Sequence, residues 1–326
     1  MDSRDRQDVA RQRRAGGAVT KGIEPQIEQL HRLSRWKRFV EVLPFLAMYS
    51  TGAGVVSFSS EMVFLKCSGV ILMGLALNSL GILIHEGLHG LLDKNPRINH
   101  VFSFLCGLPI LISTTAYQVT HCDHHFEFGR KLDYGTYKQH LDKKSLVWLA
   151  YFVQLLFGSV LYVMFIPILA FRSASRVDRV SIVVEYLLIA SLAGMLIAFA
   201  SLETILWYWV FPSILLMLLS NIRGLASHAL GDLDDIYLSS RTVESSSLVS
   251  RLFLHENYHL AHHLFPQVPS YHLKQIHRLT WHRLPRALYS KSYREFLASF
   301  FKAAWKRELT PRGLIHPRDR APADQL

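Results

Sequence analysis

The sequence predicts an all-α integral membrane protein with four transmembrane helices in two hairpins, further re-entrant or interfacial helices, and a cytosolic histidine-rich cap. This prediction depends on composition, on the positions of apolar runs and on clustered histidines. Half of the 326 residues are hydrophobic, and the mean hydropathy of +0.18 is high for a soluble protein. The formal net charge of +11 is concentrated at the two ends, which favours cytosolic flanks of a membrane protein over nucleic-acid binding.

Six apolar runs follow one another between residues 40 and 220, and four of them predict the spans. A helix needs about 20 apolar residues to cross the hydrocarbon core. The first predicted hairpin pairs residues 40–59 with 63–84, and the second pairs residues 181–200 with 204–220.

Charge in the connecting segments decides the predicted topology. Residues 1–38 and FRSASRVDR (171–179) are rich in arginine, and the positive-inside rule places them in the cytosol. The turns SSEM (59–62) and SLET (201–204) contain no lysine or arginine, so they are placed outside. The segment that follows residue 84 is therefore predicted to be cytosolic.

Two further apolar runs, residues 101–119 and 146–171, begin and end on the same side in this topology. We therefore expect both to be re-entrant or interfacial. Gly158 and Pro167 are the positions at which we expect the second run to bend.

One membrane domain, residues 39–310, is predicted between a basic disordered tail (1–38) and a loose C-terminal tail (311–326). The three cysteines show no paired spacing, which excludes a disulfide framework.

Residues 290–309 place aromatic side chains at helical spacing among lysines and arginines. Such a helix either packs on the protein's own core or lies on an anionic membrane leaflet, and the sequence leaves both alternatives open.

Nine of the 17 histidines fall in four segments that the predicted topology places on one side of the membrane. HEGLH contributes two, HCDHH three, NIRGLASH one and HLAHH three. Positions i, i+3 and i+4 share one face of a helix, so each box would point its imidazoles in one direction. The candidate metal ligands are His85, His89, His121, His124, His125, His228, His259, His262 and His263.

Nine clustered imidazoles without a metal would leave buried polar nitrogens unsatisfied or positive charges in mutual repulsion. Neutral imidazole is the commonest metal ligand. Nine ligands are too many for one ion, so the clusters predict two. Nitrogen-rich sites suit zinc, copper, iron or nickel, and the residues alone leave that choice open.

In this order and around two hairpins, HEGLH, HCDHH and HLAHH resemble the three histidine boxes of the membrane fatty acid desaturase superfamily. NYHLAHHLFPQVPSYHL (257–273) resembles the third box with its following segment. SSRTV (239–243) resembles a segment that precedes this box in bacterial members. The resemblance covers roughly residues 40–290, and three boxes at these separations are a specific signal.

The resemblance implies two non-haem irons held by these nine histidines, O2 as co-substrate, and a lipid or acyl substrate in the membrane. It also implies that Asn221 holds a metal-bound water. The sequence contains no haem-binding HPGG motif and no dinucleotide glycine fingerprint. We therefore expect an external electron donor of the ferredoxin, flavodoxin or cytochrome b5 type. The boxes are expected on the cytosolic side of a bacterial inner membrane.

The predicted function is desaturation of a fatty acyl chain or acyl lipid. The superfamily also contains lipid and carotenoid hydroxylases and ketolases, which are the alternative because the boxes do not separate these chemistries. Ser227 and Ala261 stand where many bacterial relatives carry an acid, a difference that would change the surroundings of the metal.

HEGLH also matches the HExxH motif of zinc proteases, in which two histidines bind zinc and the glutamate is the base. That interpretation leaves six histidines without a role, and we predict instead that Glu86 is a partner for an imidazole. His255, four residues before His259, is predicted to support the ligands and not to bind metal. A metal carrier is disfavoured because carriers place their ligands inside the spans.

Overall fold

Long apolar helices dominate the computed structural model, which describes residues 15–59, 62–126, 140–232, 234–310 and 313–317. Parts of the predicted tails (1–14, 311–312 and 318–326) and two residues of the SSEM turn (60–61) lie outside the described residues. Five helices in the described part are long and apolar enough to cross a membrane by length and composition alone. They are Arg35–Phe58, Val63–Leu88, Lys144–Ser173, Arg176–Phe199 and Leu202–His228, the last of which includes a π-helical turn at Leu206–Val210.

The first predicted hairpin corresponds to helices Arg35–Phe58 and Val63–Leu88, which pack closely against each other. Gly52 and Gly69 face each other at the crossing. A Cβ atom added to Gly52 would lie 2.6 Å from the carbonyl oxygen of Gly69. Small residues at such a crossing let two apolar helices bring their backbones into contact.

The apolar run 101–119 is sharply bent in the structure. Helix Pro96–Gly107 continues as a 3-10 turn, Leu108–Ile110, and three residues separate that turn from the next helix, Thr114–Phe126. The chain bends by 101° at this break. Such a bend suits the re-entrant or interfacial segment predicted here, whose position relative to a membrane stays a prediction.

The apolar run 146–171 is uninterrupted in the structure, and its position relative to a membrane stays a prediction. It forms one continuous helix of 30 residues, Lys144–Ser173, which includes both Gly158 and Pro167. Pro167 removes one backbone hydrogen bond but does not end the helix, which continues for six more residues to Ser173. The structure therefore offers a fifth candidate span, and the count of four stays a prediction.

A small sheet departs from the all-α prediction. Strand β1 (Arg241–Val243) pairs in parallel with β2 (Ala287–Ser290), and β2 pairs antiparallel with β3 (Leu314–Ile315). Strands of two to four residues are too short to show the period-2 pattern on which strand prediction depends. The shorter helices are Glu24–Leu30, Ser247–Leu252, His259–Leu264, Ser270–Thr280 and Tyr293–Lys306.

The chain forms two compact units, while the single membrane domain stays a prediction. The first, called the cap unit here, comprises Met1–Arg32, Cys122–Leu156 and Ile222–Leu326. The second, called the helical unit, comprises Leu33–His121 and Phe157–Asn221.

Residues 15–32 are folded into the cap unit, whereas the sequence placed them in a disordered tail. Ala15, Val19, Ile27 and Leu30 are buried in its apolar core. Their spacing of four and three residues fits one face of a helical turn. The high charge of the segment conceals this short apolar pattern in the sequence. The boundary at residue 38 stays a prediction.

Candidate metal centre

The helical unit brings three predicted ligands together. His85 lies in the last turn of helix Val63–Leu88, His89 is the residue at which that helix ends, and His121 lies on helix Thr114–Phe126. The Nε2 atoms of His89 and His121 are 3.0 Å apart. The ring centroids of His85 and His121 are 4.5 Å apart, so all three imidazoles converge.

The cap unit brings the other six predicted ligands together. Between Nε2 atoms, His228 lies 3.0 Å from His259. The same distance is 3.2 Å from His259 to His263 and 3.3 Å from His125 to His262. The ring of His124 completes the group, with its centroid 4.8 Å from that of His228.

The spacing of these nitrogens fits metal coordination. Two nitrogens bound to one metal at about 2.1 Å and at a right angle lie about 3.0 Å apart. The Nε2 separations of 3.0–3.3 Å in both clusters are close to this value. The donor set consists of imidazoles alone in each cluster, which suits iron, zinc, copper or nickel and not magnesium or calcium.

Two of these imidazoles, those of His89 and His263, have surroundings that favour the neutral form that binds a metal. Burial lowers the pKa of His89 to about 4. Burial also lowers the pKa of His263 well below its usual value, and the positive fields of neighbouring histidines lower it further. A neutral ring keeps a nitrogen lone pair available at neutral pH, so the protein favours ligation over protonation.

Two oxygen acceptors lie beside Nδ1 of histidine rings in the cap unit and orient those rings. Glu256 is fully buried, and its carboxylate oxygen lies 3.2 Å from Nδ1 of His259. The Nδ1 atom of His228 lies 3.1 Å from the backbone oxygen of Ser239. An acceptor at Nδ1 fixes the proton there and leaves Nε2 free to bind a metal. Sequence reasoning missed Glu256, although its position three residues before His259 was visible in HENYH.

Glu86, the acid of HEGLH, is bound by a buried arginine. Arg38 donates from Nη2 to Glu86 at 2.6 Å and to the carbonyl oxygen of Leu91 at 3.0 Å. Its Nη1 donates to Glu41 at 2.5 Å. Arg38 is missing from the sequence prediction because it lay in the segment assigned to the tail. The available signal was an arginine at the start of an apolar helix, three residues before Glu41.

His255 and Asn221 each have a hydrogen-bond partner within the protein. His255 has a φ of 59° and precedes helix His259–Leu264, so it does not share a helical face with His259. Its Nδ1 lies 2.8 Å from the Ser250 hydroxyl. The Oδ1 atom of Asn221 accepts hydrogen bonds from the backbone N–H and the hydroxyl of Ser159 at 2.7 and 2.6 Å. The role of Asn221 toward a metal-bound water stays a prediction.

The two positions at which an acid was absent have structural roles. The hydroxyl of Ser227 donates to the backbone oxygen of Arg223 at 2.9 Å. Ala261 is buried in the apolar core of the cap unit. Glu256 is an acid that the structure places beside the ligands His259 and His262.

The chain matches a known protein family over most of its length. A family model described as fatty acid desaturase matches residues 63–296, a range that includes every predicted ligand. A search of curated proteins found no match.

Proposed function

Because the chain belongs to the fatty acid desaturase family, we propose that it is a membrane di-iron oxidoreductase that desaturates a fatty acyl chain or acyl lipid. The observation that supports this proposal is the spacing of nine imidazoles in two clusters. We propose that two irons are held by His85, His89, His121, His124, His125, His228, His259, His262 and His263.

The proposed reaction removes one hydrogen from each of two adjacent carbons and forms a double bond. O2 is reduced to two waters, and the balance requires two electrons and two protons in addition to the substrate hydrogens. Bound iron would supply the O2 activation. The chain's own contribution is to keep the imidazoles of His89 and His263 neutral and to fix the His259 ring through Glu256.

Two partners complete the proposal, and neither is part of the chain. The substrate is a lipid that reaches the centre from the membrane. The electrons come from a ferredoxin, flavodoxin or cytochrome b5 type of protein, for which a basic cytosolic surface would provide electrostatic steering. We propose that the chain is integral to a bacterial inner membrane, with its histidine boxes on the cytosolic side.

The contacts of Glu86 argue against a zinc protease. The base of such an enzyme must reach a metal-bound water. Glu86 is fully buried, and Arg38 binds its carboxylate. Hydroxylation or ketolation of a lipid or carotenoid remains the alternative outcome on the same scaffold, and product analysis separates it from desaturation.

Mass spectrometry of membrane lipids, with and without the expressed protein, tests the proposed function. We expect lipids that have lost two hydrogens per chain, and the His262→Ala variant at matched membrane level should not produce them. A gain of oxygen would assign hydroxylation or ketolation instead. Metal analysis of protein from iron-replete cells should find about two irons per chain. One zinc per chain, with peptide cleavage that Glu86→Gln abolishes, would contradict the proposal.

A further inference from the structure

Helix Tyr293–Lys306 has one face in the core of the cap unit. Phe296, Phe300 and Ala303 are buried there, and the ring of Phe300 lies 5.3 Å from that of Trp148. The helix therefore packs on the protein's own core, which is one of the two alternatives that its sequence allows. This face is therefore covered by the protein itself and does not need a membrane or a partner to bury it.

A second face of the same helix carries large aromatic side chains that are exposed. Trp305 is 90% exposed and Phe301 is 48% exposed. They are four residues apart and share one side of the helix. Lys302 and Lys306, both exposed, follow each of them directly. An exposed tryptophan and phenylalanine flanked by lysines is the pattern of a helix at a membrane surface.

The exposed aromatic face continues onto an apolar stripe of a candidate span. The ring of Phe301 lies 6.2 Å from that of Phe152, which belongs to helix Lys144–Ser173. Leu149 and Leu156, three residues before and four residues after Phe152, are 59% and 58% exposed. These leucines and Phe301 thus border one surface, on which all three apolar side chains are exposed.

We propose that the face defined by Phe301, Lys302, Trp305 and Lys306 lies in the interfacial layer of a bilayer that contains anionic phospholipid. Trp305 and Phe301 would occupy the boundary between headgroups and acyl chains, where amphipathic aromatic rings are favoured. The two lysines would extend toward lipid phosphates. The continuity with the apolar stripe beside Phe152 favours a lipid surface over an acidic protein as the occupant. The proposal does not depend on the proposed chemistry.

Nitroxide labels on full-length protein in proteoliposomes test this placement. Each label is attached at Trp305→Cys or Phe301→Cys in a variant whose three native cysteines are replaced, and its collision rates with O2 and with a water-soluble nickel complex are compared. We expect O2 collisions to dominate at both positions. Gln275→Cys, at an exposed polar position of helix Ser270–Thr280, is the matched control and should collide mainly with nickel.

The lipid charge tests the lysines separately. The ratio of O2 to nickel collisions at position 305 should rise several-fold when phosphatidylglycerol is added to phosphatidylcholine vesicles. The double substitution Lys302→Glu with Lys306→Glu should abolish that rise. A label at 305 that collides mainly with nickel in anionic vesicles would overturn the proposal. So would protection of the label that appears only when an acidic electron-transfer protein is added, because the face would then bind protein.

Discussion

Arg38 forms a buried ion pair with Glu86 of HEGLH. Replacing Arg38 with methionine tests whether this pair stabilises the C-terminal end of helix Val63–Leu88. Arg38→Met keeps an unbranched side chain of related length but removes the charge and all donors. Glu86 would then keep a buried carboxylate without the guanidinium that contacts it at 2.6 Å. The carbonyl oxygen of Leu91 would also lose its donor from Arg38.

The expected cost follows from burial. The side chains of Arg38 and Glu86 are 2% and 0% exposed, so water cannot replace the lost partner. Removing one member of a buried pair typically costs about 3–5 kcal/mol, which lowers the ratio of folded to unfolded protein by roughly a hundredfold or more. Arg35→Met is the matched control. Arg35 pairs with Asp93 with its side chain 62% exposed, and exposed pairs contribute only about 0–1 kcal/mol.

Thermal unfolding of detergent-solubilised protein, with iron content measured in parallel, provides the assay. We expect Arg38→Met to unfold at a clearly lower temperature and to bind less iron, because Glu86 adjoins His85. Adding Glu86→Gln should recover part of both losses by removing the unpaired charge. Recovery should be incomplete because Glu41 also loses its contact with Arg38. Equal unfolding temperatures for Arg38→Met and Arg35→Met would refute the reasoning.

Three further predictions concern topology and the cap unit. Ser175 and Ser201 are both exposed residues that cap helices through their hydroxyls, so cysteine substitution should affect both sites alike. External thiol reagents should label a cysteine at position 201 and not one at position 175. Labelling at position 175 would contradict the predicted topology. His228→Ala should abolish turnover and lower the iron content. His255→Asn should retain turnover and iron, because asparagine tolerates the left-handed backbone at this position. The opposite pattern would identify His255 as the ninth ligand in place of His228. Glu256→Gln should lower metal affinity by about 10–100-fold, measured by chelator competition, and unchanged affinity would show that its carboxylate does not support the ligands.

The sequence by itself determined the family, the positions of the long apolar helices and the candidate ligands. Family membership, predicted from three histidine boxes, is confirmed by the match over residues 63–296. These features are local. A span is one continuous apolar run, and a box such as HEGLH places two imidazoles on one helical face by its spacing alone. All nine candidate ligands lie in one or other of the two observed clusters, while metal binding itself stays a prediction.

Tertiary structure alone decided which side chains support those ligands. It also decided which residues of the N-terminal segment join the packed core. Arg38 and Glu86 are 48 residues apart in sequence, and β1 pairs with a strand more than forty residues later. No local periodicity connects such partners. Each buried charge or unpaired strand must find its complement during packing, because leaving it unsatisfied away from water costs free energy. The same requirement for burial draws Ala15 and Val19 of an otherwise charged N-terminal segment into the core of the cap unit.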